Sequence, residues 1–307
     1  MSDFNPNAFL PIELKDREYF DLHLLLSYEQ SCEFNFTNLF IWNHTSHAKW
    51  QVFKNRIYLH MKDEAEKLDM LAFISDSFRG EPEPFELAEI SDAMRAAGYS
   101  GSFQHVRDSY IQNNLSELEK YFIVEPMPDS FSEYIHEVES LAELHGTKLA
   151  KKRNLIAQFK RNHPDARVEQ MTASMLPEVL KLAEEWRAGM PEPESPFLKA
   201  ETIAENLLAE HFSALDVTGL AVFIEDKMIA FEMCSRINRD MYTEHFEKSL
   251  HEYKGASQFI NNEMAKFLLG KCKYLNREQD LGMPGLHQAK LSYEPEFMLK
   301  NYTIRRK

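Results

Sequence analysis

One pattern constrains the fold most, and it occurs twice. Trp50-Gln51-Val52-Phe53, a Lys54-Asn55 turn and Arg56-Ile57-Tyr58-Leu59 predict a β-hairpin. About 170 residues later, Gly219-Leu220-Ala221-Val222-Phe223-Ile224, the polar Glu225-Asp226-Lys227 and Met228-Ile229-Ala230-Phe231-Glu232-Met233 predict another. After the first come a strand at Leu68–Ile74, a helix at about Phe85–Ala97 closed by Gly98, and strands at Phe103–Val106 and Tyr121–Val124 around a short helix. After the second come a strand at Met241–Phe246, a helix from Gly255 to about Leu269, a strand at Lys273–Asn276 and a short helix at Pro284–Lys290. The two series predict two copies of one α/β unit, at a separation too large for a solenoid period, although any two antiparallel hairpins would share such a pattern. Leu10 to Phe40, ahead of the first hairpin, reads as helical.

Between the copies a long helix is expected, from about Ser132 to Asn162. Its second part carries the main charge anomaly. The chain has 35 basic and 49 acidic residues, a net charge of −14. Thr147 to Arg167 nevertheless holds seven basic residues against Asp165. Val168 to Asp216 then holds ten acids against three bases. An acidic chain repels polyanions at long range, so a polyanionic partner needs a local basic patch. Lys148, Lys151 and Lys152 fall at i, i+3 and i+4, with Arg153 beside them, one face of a helix backed by Leu155, Ile156 and Phe159. Such a stripe can contact phosphates. It can equally be a solvated face paired with the acidic segment that follows.

Other classes are excluded. Neither a dinucleotide fingerprint nor a P-loop occurs, and only ten glycines are present. Cys32, Cys234 and Cys272 lie far apart without C-x-x-C spacing, which predicts a reducing compartment and no zinc ribbon. Twelve histidines show no metal-ligand spacing, so no metal is expected. The start of the chain has no secretory signal pattern, and no apolar run approaches the roughly 20 residues that span a bilayer. A bacterial-type cytoplasm is the expected location.

Chemistry concentrates in the second copy. Strict alternation along Tyr242-Thr243-Glu244-His245-Phe246-Glu247 places Glu244 and Phe246 on one face and His245 and Glu247 on the other. Either acid could serve as a general base for an amine or hydroxyl, or simply face solvent. His251-Glu252-Tyr253-Lys254-Gly255-Ala256-Ser257 precedes a helix, so Lys254 and Gly255 could bind a phosphate or carboxylate, or only start the helix. Asn276-Arg277-Glu278-Gln279-Asp280-Leu281-Gly282 ends a strand, where open α/β sheets keep their ligands. Arg277 could clamp an oxyanion, while Glu278 or Asp280 could hold an ammonium group. Lys290 and Tyr293 follow a short helix and could return to the same cleft.

Taken together, Lys151-Lys152-Arg153-Asn154, Val222-Phe223, Phe246-Glu247-Lys248, Tyr253-Lys254-Gly255-Ala256, Asn276 to Gly282 and Lys290-Leu291-Ser292-Tyr293-Glu294-Pro295 resemble the DUF2156 family, the C-terminal domain of phosphatidylglycerol lysyltransferases. The resemblance implies two tandem units of the acyl-CoA N-acyltransferase (GNAT) fold, as in Fem-type peptidyltransferases. The units are expected at 1–145 and 165–307, joined by a basic helix at 146–164. It implies aminoacyl-tRNA as donor, tRNA phosphates on Lys148, Lys151, Lys152 and Arg153, and an amine or hydroxyl acceptor. Catalytic candidates are Glu244, Glu247, Glu278 and Asp280; substrate-binding candidates are Asn276, Arg277, Lys290, Tyr293, Lys254 and Gly255. The acceptor is left open between a lipid headgroup, a small molecule and a peptide, because the large membrane portion of the lipid-modifying members is not seen in this sequence. Aligned with the acetyl-CoA loop of GNAT enzymes, His251 and Lys254 stand where Gln or Arg and Gly belong. Acetyl-CoA is therefore the less expected donor. The alternatives are a CoA-dependent N-acyltransferase and a silent ligand- or RNA-binding protein of this fold.

Overall fold

The computed structural model describes residues 3–63, 68–75 and 80–307. The first part of the chain gives β1 (Leu10–Pro11), α1 (Arg17–Leu25), α2 (Phe36–Ile41), α3 (Asn43–Ser46), β2 (Lys49–Phe53), β3 (Arg56–Asp63) and β4 (Leu68–Ile74). It continues through α4 (Pro84–Ala96), β5 (Phe103–Arg107), α5 (Asp108–Tyr121) and β6 (Phe122–Pro126). The middle gives β7 (Glu133–Glu137), α6 (Val138–Glu143) and α7 (Ala150–Asn162). The last part gives β8 (Arg167–Gln170), α8 (Leu176–Ala188), α9 (Pro196–His211), β9 (Thr218–Ile224), β10 (Lys227–Asn238) and β11 (Met241–Ser249). After these come α10 (Ala256–Leu268), β12 (Tyr274–Asn276), α11 (Pro284–Leu291), β13 (Phe297–Leu299) and β14 (Asn301–Arg306).

Both hairpins form. Lys54 and Asn55 take the left-handed conformation that a tight two-residue turn demands, as does Glu225 in the second. Pro84 opens α4 inside a Glu83–Glu86 capping box, and Gly98, at φ 90°, follows its end. Two seven-stranded mixed sheets result, ordered β1-β2-β3-β4-β5-β14-β6 and β13-β7-β12-β11-β10-β9-β8. This is the expected tandem arrangement.

Two expectations need correction. The region from Ser132 to Asn162 is not one helix: it is β7, α6, a turn and α7. Tyr134 and Ile135 are fully buried and pair with neighbouring strands, so tertiary pairing overrides the local helical pattern. Leu10 to Phe40 likewise holds separate short helices around an irregular stretch.

The sheets also exchange strands. β7 lies between β12 and β13, and β14 lies between β5 and β6. Sheet membership thus crosses the 145 and 165 boundaries expected for the units. A shared apolar core joins Ile57 and Leu59 of β3 to Phe231 and Met233 of β10. Glu133, at the start of β7, pins the exchange. Its fully buried carboxylate accepts bonds from Ser31 Oγ (2.5 Å), the Cys32 amide (2.8 Å), Asn276 Nδ2 (2.5 Å) and Asn301 Nδ2 (3.2 Å). Burying a carboxylate is costly unless its lone pairs are used, and here four donors use them.

Candidate functional site

β11, the strand that carries Glu244 and Glu247, does not alternate strictly. Met233 pairs with Phe246 but Cys234 pairs with Glu244, so His245 is an extra residue, a β-bulge. The bulge reverses the phase of the strand. Glu244 and Glu247, expected on opposite faces, therefore meet the same guanidinium. Arg277 Nε donates to Glu244 Oε2 (2.7 Å), and its Nη2 donates to Glu244 Oε1 (3.2 Å) and Glu247 Oε2 (2.6 Å). Arg277 is buried, and Tyr293 lies over it at 5.0 Å. The Arg277 fork is thus engaged by the protein's own carboxylates.

A third acid joins them. Glu232 of β10 is fully buried, and the three carboxylates offer oxygens within 4.8 Å of one another. Burial first, then Glu244 and Glu247, pushes the Glu232 carboxyl far above the usual range, towards the neutral acid. Burial also raises Glu247, against the pull of Arg277. In the sequence Glu232 is marked only as a lone acid inside an apolar hairpin strand. Glu232 Oε2 and the Tyr293 hydroxyl are buried without a hydrogen-bond partner.

Glu278 and Lys290 form a second group. Glu278 follows β12 in a left-handed conformation, φ 57°. Its Oε1 accepts bonds from Asn38 Nδ2 (2.7 Å) and Thr243 Oγ1 (3.1 Å), and lies 3.9 Å from His245 Nδ1. Burial raises the carboxyl to about 8, with Glu33 adding to that and Asn38, Lys290 and Thr243 opposing it. Lys290 is buried with its Nζ on the Gln279 carbonyl (2.5 Å), and burial lowers its pKa although Glu278 and Glu244 pull it up. Glu278 and Lys290 act on each other as a raised acid and a lowered amine.

Asp280 behaves differently. Tyr134 Oη (2.5 Å), His287 Nδ1 (2.7 Å) and the Gly282 amide (2.7 Å) surround its carboxylate. Burial favours the acid form, but these bonds outweigh it and hold the pKa below the usual carboxylate value. Asn276 is a structural link: it joins Glu133 to the Gln30 carbonyl (2.9 Å) and accepts the Glu278 amide (2.8 Å).

Among the basic candidates, Lys148 precedes α7 and pairs with Glu294 at 2.6 Å. Lys151 is exposed. Lys152 turns inward, 3.9 Å above the Tyr293 ring, and burial, then Arg277, lowers it to about 8. Arg153 binds the Leu144 carbonyl and, at 2.7 Å, the Gly146 carbonyl, tying α7 to the end of α6. The four do not share one open face.

Lys254 is exposed, but Gly255 is buried at φ 94°, where an added Cβ would lie 2.5 Å from the Leu155 carbonyl oxygen. Packing of α7 against the start of α10 therefore demands glycine here. In the first turn of α10, Ser257 Oγ donates to Glu247 Oε1 at 2.6 Å, so the protein's own carboxylate sits beside that helix end.

A cavity of about 320 Å³ lies at the exchanged strands, lined by Glu29, Ser31, Arg107, Phe297, Leu299 and Asn301. None of the reactive carboxylates described above lines it. Sequence reading did not single out Asn38, Tyr134 or Glu133, whose site partners lie a hundred or more residues away, nor Ser235 and His287, which bond His245 and Asp280 ten and seven residues away. No helix among the described residues is long and apolar enough to cross a membrane.

Residues 26–305 match the family described as phosphatidylglycerol lysyltransferase, C-terminal. A conserved protein of unknown function from Bacteroides thetaiotaomicron has the same fold at TM-score 0.91 and 25% identity, over 98% of this chain and 99% of that one. The structure of L-PGS from Bacillus licheniformis aligns at TM-score 0.65 and 14% identity, over 95% and 92% of the two chains. An uncharacterized protein from Mycoplasmoides gallisepticum is 23% identical over 185 residues, a match that spans 59% of this chain and 58% of that relative.

Proposed function

The chain belongs to the phosphatidylglycerol lysyltransferase C-terminal family, and from that premise we propose that it moves an amino acid from aminoacyl-tRNA to an amine or hydroxyl acceptor. The observation that carries this reading is Glu278, a carboxyl raised to about 8 beside buried Lys290, with its side chain 20% exposed. An aminoacyl ester is already activated, so its transfer needs an oriented acceptor and a base rather than a further cofactor. In the proposed step, Glu278 takes the proton from the acceptor N–H or O–H. The freed electron pair attacks the ester carbonyl carbon. The tetrahedral adduct collapses with cleavage of the ester C–O bond, and the terminal ribose hydroxyl leaves with the proton returned from Glu278.

The remaining residues take supporting roles in this proposal. Lys290 stabilises the ionised base. Asp280, kept anionic by Tyr134, His287 and Gly282, faces the ammonium group of the amino acid. Arg277, bound to Glu244 and Glu247, fixes β12 to β11 and so sets the position of Glu278. In this reading Lys148, Lys151, Lys152 and Arg153 are on the tRNA side, with Lys151 exposed on α7. Acetyl-CoA suits this site less well. The Glu247 carboxyl occupies the start of α10, and Gly255 is pressed against Leu155, so a pyrophosphate meets no open cradle there.

The test supplies the purified protein with radiolabelled aminoacyl-tRNAs or acetyl-CoA, with a cell extract as acceptor source. Label moved from aminoacyl-tRNA supports the reading. Label moved only from acetyl-CoA, or from neither, refutes it.

A further inference from the structure

Glu278 is the end of a chain of buried polar groups drawn from three elements, and the protons in that chain can be placed. Asn38 Nδ2 lies 3.2 Å from the Cys32 carbonyl oxygen and 2.7 Å from Glu278 Oε1. A backbone carbonyl only accepts, so the atom facing it is the amide nitrogen and not the amide oxygen. The Asn38 oxygen is therefore the atom 2.9 Å from His245 Nδ1. It too only accepts, so Nδ1 carries the imidazole proton. His245 has its side chain fully buried, and burial alone lowers its pKa to about 3, so the ring is neutral and Nε2 is bare. Ser235 Oγ lies 2.7 Å from this bare Nε2 and 3.2 Å from Asn35 Oδ1, which also only accepts; the shorter contact takes the single hydroxyl proton, so Ser235 donates to Nε2. Each bond runs in one direction, from Ser235 through His245 and Asn38 to Glu278 Oε1. Thr243 Oγ1 supplies a second donor to the same oxygen.

Resting on the base reading above, we propose that Ser235, His245 and Asn38 are positioning residues that reserve Oε1 of Glu278 as an acceptor and leave Oε2 as the oxygen that exchanges the proton. Oε1 has both in-plane lone pairs engaged, whereas Oε2 takes part in none of these bonds. A base that exchanges its proton at one defined oxygen presents that oxygen to the acceptor without a rotational search. The charged and titratable groups facing Glu278 are Cys32 and Glu33 from the segment before α2, His245 from β11 and Lys290 from α11. The relay explains why the bulge falls at His245. Without the extra residue His245 would not face inward together with Phe246.

Two readouts that need no activity test this. The first is the nitrogen NMR spectrum of the wild-type protein with labelled histidine, in which the two neutral tautomers are distinct. The relay requires His245 protonated at Nδ1; a ring protonated at Nε2 overturns it. The second is the carbon NMR titration of the Glu278 carboxyl in wild type and Asn38→Asp. Loss of the donor and gain of a neighbouring acid should raise the midpoint by about one unit or more; an unchanged or lower midpoint overturns the proposal. If Asn38→Asp does not fold, Thr243→Val removes the other donor to Oε1 and must shift the midpoint in the same direction. Failure of the base reading is separate: full transfer by Glu278→Gln would refute Glu278 as base while leaving both NMR results to be read on their own.

Discussion

Glu278 concentrates the chemistry at the scale of single residues. With its carboxyl raised to about 8, the base form grows as pH rises, so the rate of transfer should increase up to about pH 8 and then level off. Glu278→Gln should lower kcat by about 10²–10⁴-fold and flatten that profile, once uncatalysed ester hydrolysis is subtracted. A stability effect follows with a defined sign. The folded pKa lies above the unfolded value near 4.5, so the folded protein holds the extra proton between those limits. The stabilisation is complete below about pH 4.5 and is lost as pH rises through about 8. Each pKa unit corresponds to about 1.4 kcal/mol, and the total is a few kcal/mol at most, because the side chain is partly exposed. Glu278→Gln should therefore gain stability relative to wild type as pH goes from 5 to 9, measured by urea unfolding at each pH. The run Asn276 to Asp280 was legible as a polar strand end, so Glu278, Asp280 and Arg277 could be named from sequence. Their partners could not. Asn38 lies 240 residues from Glu278, and sequence spacing carries no information about a contact made across two sheets.

At the scale of elements, hairpins, caps and strand positions followed local rules and were readable. The β-bulge at His245 and the break between β7 and α7 were not, since both are set by partners elsewhere in the sheet. The start of α10 shows a packing role for one glycine that the sequence does not reveal. Gly255 suited an anion site in sequence, but in three dimensions it lets α7 approach α10. Gly255→Ala should destabilise the protein by at least about 1–3 kcal/mol, from the left-handed backbone and the contact with Leu155 combined, read from the urea midpoint. α7 yields a graded prediction for RNA. Lys151→Ala should weaken tRNA binding and reduce the salt slope by about 0.7–0.9, the value for one phosphate contact. Arg153→Ala should lower stability first, because it frees the carbonyls at the end of α6. A slope unchanged in Lys151→Ala would return the cluster to being a solvated face.

At the scale of the whole molecule, the tandem arrangement was legible because the hairpin pattern repeats, while the exchange of β7 and β14 left no trace in composition or periodicity. Each sheet contains a strand contributed from the far part of the chain, and Glu133 bonds to residues at 31, 32, 276 and 301. The two halves should consequently unfold together. Calorimetry of the full chain should give one transition, and a chain ending at Lys300 should lose it, since β5 and β6 would each lose β14 as a partner. This shared framework holds Glu278, just past the end of β12, against the bulged strand, and the proposed activity depends on it. The most direct test is transfer of radiolabel from aminoacyl-tRNA to an acceptor, by wild type and by Glu278→Gln at pH 8. The account predicts transfer by the wild type that falls at least about 100-fold in the variant, with tRNA affinity preserved. Equal transfer by the two proteins, or transfer supported by acetyl-CoA alone, would contradict it.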